Sequence, residues 1–202
     1  VHRTLIDWSD YSWNPVWGCL RGCPYCYAAA LAHRLGKSFE PHWMQANFAS
    51  AMPKKPSRIF VNSMSDILYW RVEWWEPVLR RIRENPQHTF LFLTKSPGVY
   101  AAHEFPANAL RGVTATTRTT ALGALFHRPD FLSIEPILER IDPAELCGHG
   151  LRWVILGAET GNRRERVVPP AEWIAPWLEL PMPLYMKKNL PWPGPWRKEF
   201  PV

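Results

Sequence analysis

Three cysteines fall within eight residues, in the run Cys19-Leu-Arg-Gly-Cys23-Pro-Tyr25-Cys26. Three residues separate the first pair and two separate the second. Their thiolates are soft ligands, suited to zinc or to iron–sulfur clusters. A structural zinc site is normally closed by four ligands, whereas this stretch offers three and Cys147 lies far along the chain. On a cubane of four irons, three thiolates leave one iron free to take something else. Catalytic metal sites keep a position open in the same way. Two other readings stay open at the level of the motif: a zinc site completed by a remote histidine or by Cys147, and three unrelated thiols.

A scaffold must present these cysteines, and the chain alternates short apolar runs with helical stretches. Residues 58–62, 89–93, 112–116, 130–134, 151–156 and 183–186 read as buried strands. Between them, 73–84 is a helix with Trp74, Trp75, Val78, Leu79 and Ile82 at helical spacing, stopped before Pro86. Further helices are expected over 98–105, 121–127 and 170–180, with Pro176 a possible kink in the last. Apolar strands separated by helices indicate parallel β/α units. A full eight-fold barrel takes ~250 residues, and this chain has 202. The expectation is therefore an α/β fold, a partial (β/α)6-type parallel barrel open on one side, with 1–202 as a single domain. The cysteine segment would be the loop after a short first strand at 13–16. The helix after it would run over 27–35 and close at Gly36.

In a parallel barrel the functional groups gather at the C-terminal ends of the strands. The residues expected there are polar: Asn62, Ser63, Ser65 and Asp66, then Thr94 and Lys95, Thr114 and Thr116, Ser133 and Glu135, Glu159, and Lys187 and Lys188. Lys95, Glu135, Glu159 and Lys187 are the catalytic candidates among them. Each has a plainer reading as a helix cap or surface charge, and Asp66 is placed to cap the helix after the second strand. The seven histidines show no metal spacing.

The cysteine spacing, with an aromatic residue just before the last cysteine, resembles the motif of the radical S-adenosylmethionine superfamily. The expected six-unit barrel with its cluster loop after the first strand resembles the architecture of those enzymes. The segments Trp13-Asn-Pro-Val-Trp-Gly-Cys19, Phe60-Val-Asn-Ser-Met-Ser-Asp66, Ser133-Ile-Glu-Pro136 and Trp153-Val-Ile-Leu-Gly-Ala-Glu159 are similar to a short, uncharacterised branch found in bacteriophages and bacteria. The resemblance implies a 4Fe-4S cluster held by Cys19, Cys23 and Cys26, whose open iron chelates the methionine part of S-adenosyl-L-methionine. It implies Ser63 and Asp66 as acceptors for the cofactor's ammonium, Glu135 or Thr116 for its ribose, Tyr25 beside its adenine, and Gly157 where backbone approaches the ring. It also implies an electron donor of the reductase or flavodoxin type.

The substrate is a separate question. A formal net charge of +6 favours anionic partners. Lys95, Arg118, Arg163, Arg164, Lys187 and Lys188 all follow expected strands, which would gather them at the barrel mouth. Twelve tryptophans suggest stacking surfaces besides core. A nucleic acid or nucleotide is the expected substrate. A small molecule or peptide is the alternative within the same chemistry, and a non-enzymatic, metal-stabilised nucleic-acid-binding module the alternative outside it. Four cysteines, three of them clustered, do not form a disulfide framework in a chain of this length. With no basic-then-apolar leader and no membrane-length apolar run, a cytoplasmic protein without membrane contact is expected.

Overall fold

The computed structural model describes residues 1–160 and 164–201. The chain is mixed α/β and divides into two compact units, Val1–Leu110 and Arg111–Val202.

The first unit contains, in order, β1 (His2–Arg3), β2 (Tyr11–Ser12), β3 (Val16–Trp17), α1 (Tyr27–Arg34), β4 (His42–Trp43), α2 (Gln45–Ala49), β5 (Arg58–Phe60), α3 (Val72–Arg83) and β6 (Thr89–Thr94). β1 pairs antiparallel with β2, while β2, β5 and β6 run parallel. Ile59, Phe60 and Val61, and Phe90, Leu91 and Phe92, are buried as continuous runs, the pattern of a parallel sheet covered on both faces. One such cover is α3, which buries the five apolar residues its spacing predicts.

The first strand of the parallel ladder is β2, Tyr11–Ser12, and not 13–16. The Trp13 N–H still extends the ladder, donating to the Phe60 carbonyl at 2.8 Å. Pro15 has no N–H to continue it, and Val16–Trp17 instead pairs antiparallel with His42–Trp43 in a separate two-stranded sheet. The chain therefore leaves the parallel ladder just before the cysteines.

The second unit is described by β7 (Ala109–Ala115), α4 (Arg118–Leu125), β8 (Phe131–Ile134), β9 (Trp153–Leu156), α5 (Ala171–Ile174) and β10 (Leu184–Met186). β7 to β10 run parallel in sequence order. β8 and β9 are buried at every residue. The stretch expected as a helix over 170–180 stops after one turn and continues as a 3-10 turn over Ala175–Glu179, because Pro176 cannot donate within an α-helix. The expected helix at 98–105 is likewise a 3-10 turn, Pro97–Ala102. Among the described residues no helix is long and apolar enough to cross a membrane.

Trp8, Trp13, Trp70, Trp74, Trp75, Trp153 and Trp177 are buried. More than half of the twelve tryptophans are thus core, which weakens the stacking-surface argument drawn from their number.

Gly112 sits where β7 meets β8, and a Cβ there would lie 2.2 Å from the Phe131 ring. Gly112→Ala should therefore destabilise the protein by about 1–3 kcal/mol through overpacking. Gly123→Ala, where a Cβ meets nothing, should be neutral or stabilising in α4 by up to about 1 kcal/mol. Urea titration of the two variants checks the contrast; equal stabilities would contradict this packing.

Candidate functional site

The cysteine loop of the first unit is anchored at its entrance. The Gly18 N–H donates to the Met64 carbonyl and the Cys19 N–H to the Phe39 carbonyl, both at 2.9 Å. Gly18 has φ of 102°, and a Cβ there would lie 2.3 Å from the Glu40 carbonyl oxygen, so only glycine suits the position. Backbone N–H groups already address two of the sulfurs. Arg21 N–H donates to Cys19 Sγ at 3.4 Å, and Ala29 N–H donates to Cys26 Sγ at 3.4 Å, which makes Cys26 the N-cap of α1. Gly36, with φ of 62°, follows the helix end as the sequence predicts.

The loop is tied to the ends of β5 and β6 by Asp66, which is only 8% exposed. Its Oδ1 accepts from Leu68 N–H at 3.0 Å and from the Thr94 hydroxyl at 2.6 Å. Its Oδ2 accepts from Lys95 N–H at 3.2 Å and pairs with Arg21 Nε at 3.5 Å. Arg21 also donates to the Ser96 hydroxyl. Asp66 thus does cap a turn after β5, and its acceptor positions are filled by the protein itself.

Asn62 clamps the same strand ends: its amide donates to the Leu93 carbonyl at 2.6 Å and its oxygen accepts from Leu93 N–H at 3.0 Å. The Ser63 hydroxyl exchanges hydrogen bonds with the Asn14 side chain, and the Ser63 carbonyl accepts from Tyr27 Oη. Lys95 Nζ lies over the Tyr25 ring, 5.5 Å from its centroid. Arg21, Asn14 and Tyr27 were not singled out by the sequence. Their importance rests on tertiary partners, and no local spacing signals it.

Burial pushes the Cys19 thiol up from its ordinary value; the Arg21 N–H opposes this, and repulsion from Asp66, Cys26 and Cys23 adds to it. Burial also pushes Cys23 up, opposed by the cations of Lys95 and Arg21 and reinforced by Cys26 and Asp66. Among the described residues no three His, Cys, Asp or Glu side chains stand in a metal-holding group. Cys19, Cys23 and Cys26 share one anchored loop, and two of their sulfurs receive backbone N–H bonds. Cys147 belongs to the second unit, with Sγ turned to the Pro143 carbonyl at 3.7 Å.

The second unit brings four of the expected residues into one row. Ala115 pairs with Ile134, Ile134 with Leu156, and Leu156 with Met186. One step on, Thr116, Glu135, Gly157 and Lys187 are therefore neighbours across four strand ends. The ladder continues there through Glu135 N–H to Ala115, Gly157 N–H to Ile134 and Lys187 N–H to Leu156. Lys187 Nζ pairs with Glu135 Oε1 across the intervening strand. A Cβ on Gly157 would lie 3.0 Å from Glu135 Cδ, so the missing side chain makes room for the carboxylate. Glu159, 5% exposed, follows two residues later, and Asn189 holds the Ala158 carbonyl at 2.6 Å. The Ser133 hydroxyl, 1% exposed, has no hydrogen-bond partner among the described residues.

Of the cations expected at strand ends, Arg118 is bound by both oxygens of Glu145, and its N–H donates to Glu139 at 2.6 Å. Arg164 is exposed, and Arg163 lies outside the described residues.

A family model described as "Protein of unknown function (DUF5131)" matches residues 3–176. No curated protein and no solved structure matches the chain.

In the metal-free protein, iodoacetamide labelling of Cys23 should set in at higher pH than for a free cysteine, since burial disfavours the thiolate. Lys95→Met should move that onset higher still, because Lys95 opposes the burial effect. Peptide-mapped labelling against pH reads both; a Cys23 profile like that of free cysteine, unmoved by the substitution, would contradict this environment.

Proposed function

The chain belongs to this DUF5131 family of unknown function, and on that footing we propose that it is a radical S-adenosylmethionine enzyme with a 4Fe-4S cluster on Cys19, Cys23 and Cys26. The observation that carries the reading is the anchored loop that joins three thiols to the C-terminal ends of β5 and β6. Cys19, Cys23 and Cys26 would hold the cluster, which would supply one electron for reductive cleavage of the sulfonium cofactor.

The chain's own residues bind and orient. Gly18 fixes the loop entrance, Arg21 and Asp66 hold its middle to the strand ends, and Cys26 begins α1. Tyr25 offers a ring face for an adenine. With Asp66 already engaged, it shapes the site in this reading, and the Ser63–Asn14 pair does the same. Thr116 and Glu135 are acceptors for a ribose diol, with Lys187 orienting the Glu135 carboxylate and Gly157 giving it room. Lys95, Glu159 and Lys187 are the groups that would move a proton or meet charge on a substrate. We include in the proposal the open partial (β/α)6-type barrel, supported by the parallel ladders in each unit, and a flavodoxin-type electron donor.

The proposed substrate is a nucleic acid or nucleotide, supported by the net charge of +6 and by cations beside aromatic rings, Lys37 at Trp17 and Lys198 at Trp196. A small-molecule or peptide substrate is the second reading. It is favoured by the carboxylates that already neutralise Arg118 and Lys187.

Anaerobic reconstitution should load iron and sulfide in equal amounts, about four of each per chain. Addition of cofactor and dithionite should then yield methionine and 5′-deoxyadenosine. Alanine at any of Cys19, Cys23 or Cys26 should abolish both loading and product, while Cys147→Ala should keep both. Zinc in place of iron, or a requirement for Cys147, would sink the proposal. Binding to DNA or RNA that weakens with salt, and weakens further on charge reversal at Arg163 and Arg164, would favour the nucleic-acid substrate; no binding at low salt would favour the small molecule.

A further inference from the structure

We infer that a single-stranded nucleic acid docks on the outer face of the β3–β4 ribbon and the C-terminal end of α1; this rests on the reading of the substrate as a nucleic acid. Charge complementarity favours that face. Between Asp10 and Asp66 the chain has six Lys or Arg and one acid, Glu40. The two bordering acids are taken, Asp10 by Arg58 and Asp66 by Arg21. Arg34, Lys37, Lys54 and Lys55 remain against Glu40, and four less one is +3, half of the chain's +6. Among the described residues none of these four is in an ion pair.

Two of the four meet an aromatic ring at one place. Arg34 ends α1 and is exposed. A basic residue there also suits the helix dipole, but Lys37 lies beyond the helix. The chain turns back at Gly36, the Lys37 N–H donates to the Ala32 carbonyl at 2.9 Å, and the Lys37 ammonium lies over the Trp17 ring, 5.8 Å from its centroid. Trp17 is held by its Nε1–H, which donates to the Ser38 carbonyl at 3.1 Å, and by a perpendicular contact with Phe39. Its strand partner is His42, which is exposed. Val16 is buried, and alternation along the strand puts Trp17 and His42 on the opposite, outward face. A fixed, half-exposed indole beside cations is a stacking platform: a base lies on the ring, and the cations take the flanking phosphates. Only an unpaired base can stack there, which selects a single strand over a duplex. α1 links the platform to the cysteines, since Cys26 caps its start and Arg34 ends it. That separation is ~12 Å, so a strand held at Arg34 and Lys37 brings a nucleotide about four stacked positions along to the cysteine loop.

The test is fluorescence anisotropy of a labelled oligothymidylate of about 12 nucleotides, titrated with the full chain at several salt concentrations, with oligouridylate as the RNA arm. Arg34→Gln combined with Lys37→Gln should weaken binding and flatten the slope of log K against log salt by about 1.4, the loss of two phosphate contacts on a single strand. Trp17→Leu should weaken binding about tenfold or more and leave the slope unchanged, while Trp17→Phe, which keeps a ring, should retain most of the affinity. Lys198→Gln, in the second unit, should change neither quantity. Arg34 and Lys37 are exposed, so their double variant decides the question if Trp17→Leu fails to fold. Wild-type affinity and slope in that double variant, a loss on Lys198→Gln alone, or a duplex bound as tightly as the single strand would overturn this placement and leave the nucleic-acid reading standing. No binding of either oligonucleotide by the wild-type chain at low salt would overturn both.

Discussion

One buried carboxylate holds the cysteine end of the first unit together. Asp66 takes hydrogen bonds from a turn N–H, a strand-end hydroxyl and a strand-end N–H, and an ion pair from the cysteine loop. The partners come from three pieces of chain, the turn after β5, the end of β6 and the cysteine loop, so the carboxylate fixes their relative positions and not merely their number. A charge this little exposed is tolerable only because its acceptor positions are filled. The dependence runs both ways. Without Asp66, the Thr94 hydroxyl and the Leu68 and Lys95 N–H groups lose their acceptor, and an unsatisfied buried donor costs about 1–3 kcal/mol. Arg21 would keep only Ser96.

The two units use the ends of their strands in chemically different ways. In the first, soft sulfur donors stand with two cations and one committed carboxylate. In the second, hard groups stand in a register row, where Lys187 reaches Glu135 over a glycine. That contact is possible because β9 lies between β8 and β10 and offers no side chain at 157. Gly157 was expected to admit a cofactor ring; its visible work is to admit a carboxylate. The two roles are compatible only if a ligand meets Glu135 and not bare backbone.

The sequence was legible where structure is local. Continuous apolar runs marked β5, β6, β8 and β9, because a strand covered on both faces needs apolar residues at every position. Helical spacing marked α3, and Gly36 marked the end of α1. Legibility failed where partners were distant. Two residues of β2 carry no periodicity, and the wrong neighbour, 13–16, was preferred because it is more apolar. Pro15 was the signal that the ladder could not continue there. Arg21 looked like motif filler until Asp66 and Ser96 were seen beside it. The tryptophan count could not distinguish surface from core, and core took the larger share.

Charge gives the last step. The strand-end cations were read as a collection awaiting an anionic substrate, yet three of them, Arg118, Lys187 and Lys95, have their own circumstances. Arg118 is committed to Glu145 on the surface, where a bidentate pair gives orientation more than stability. Lys187 is committed to Glu135 in a half-buried row, where removing either partner would strand the other. Lys95 lies over the Tyr25 ring, and the Arg21 guanidinium is held by Asp66 and Ser96. The positive charge at the strand ends is thus partly internal to the site. The paired carboxylates are already counted in the net charge of +6, so the pairs decide where the excess lies and not how large it is.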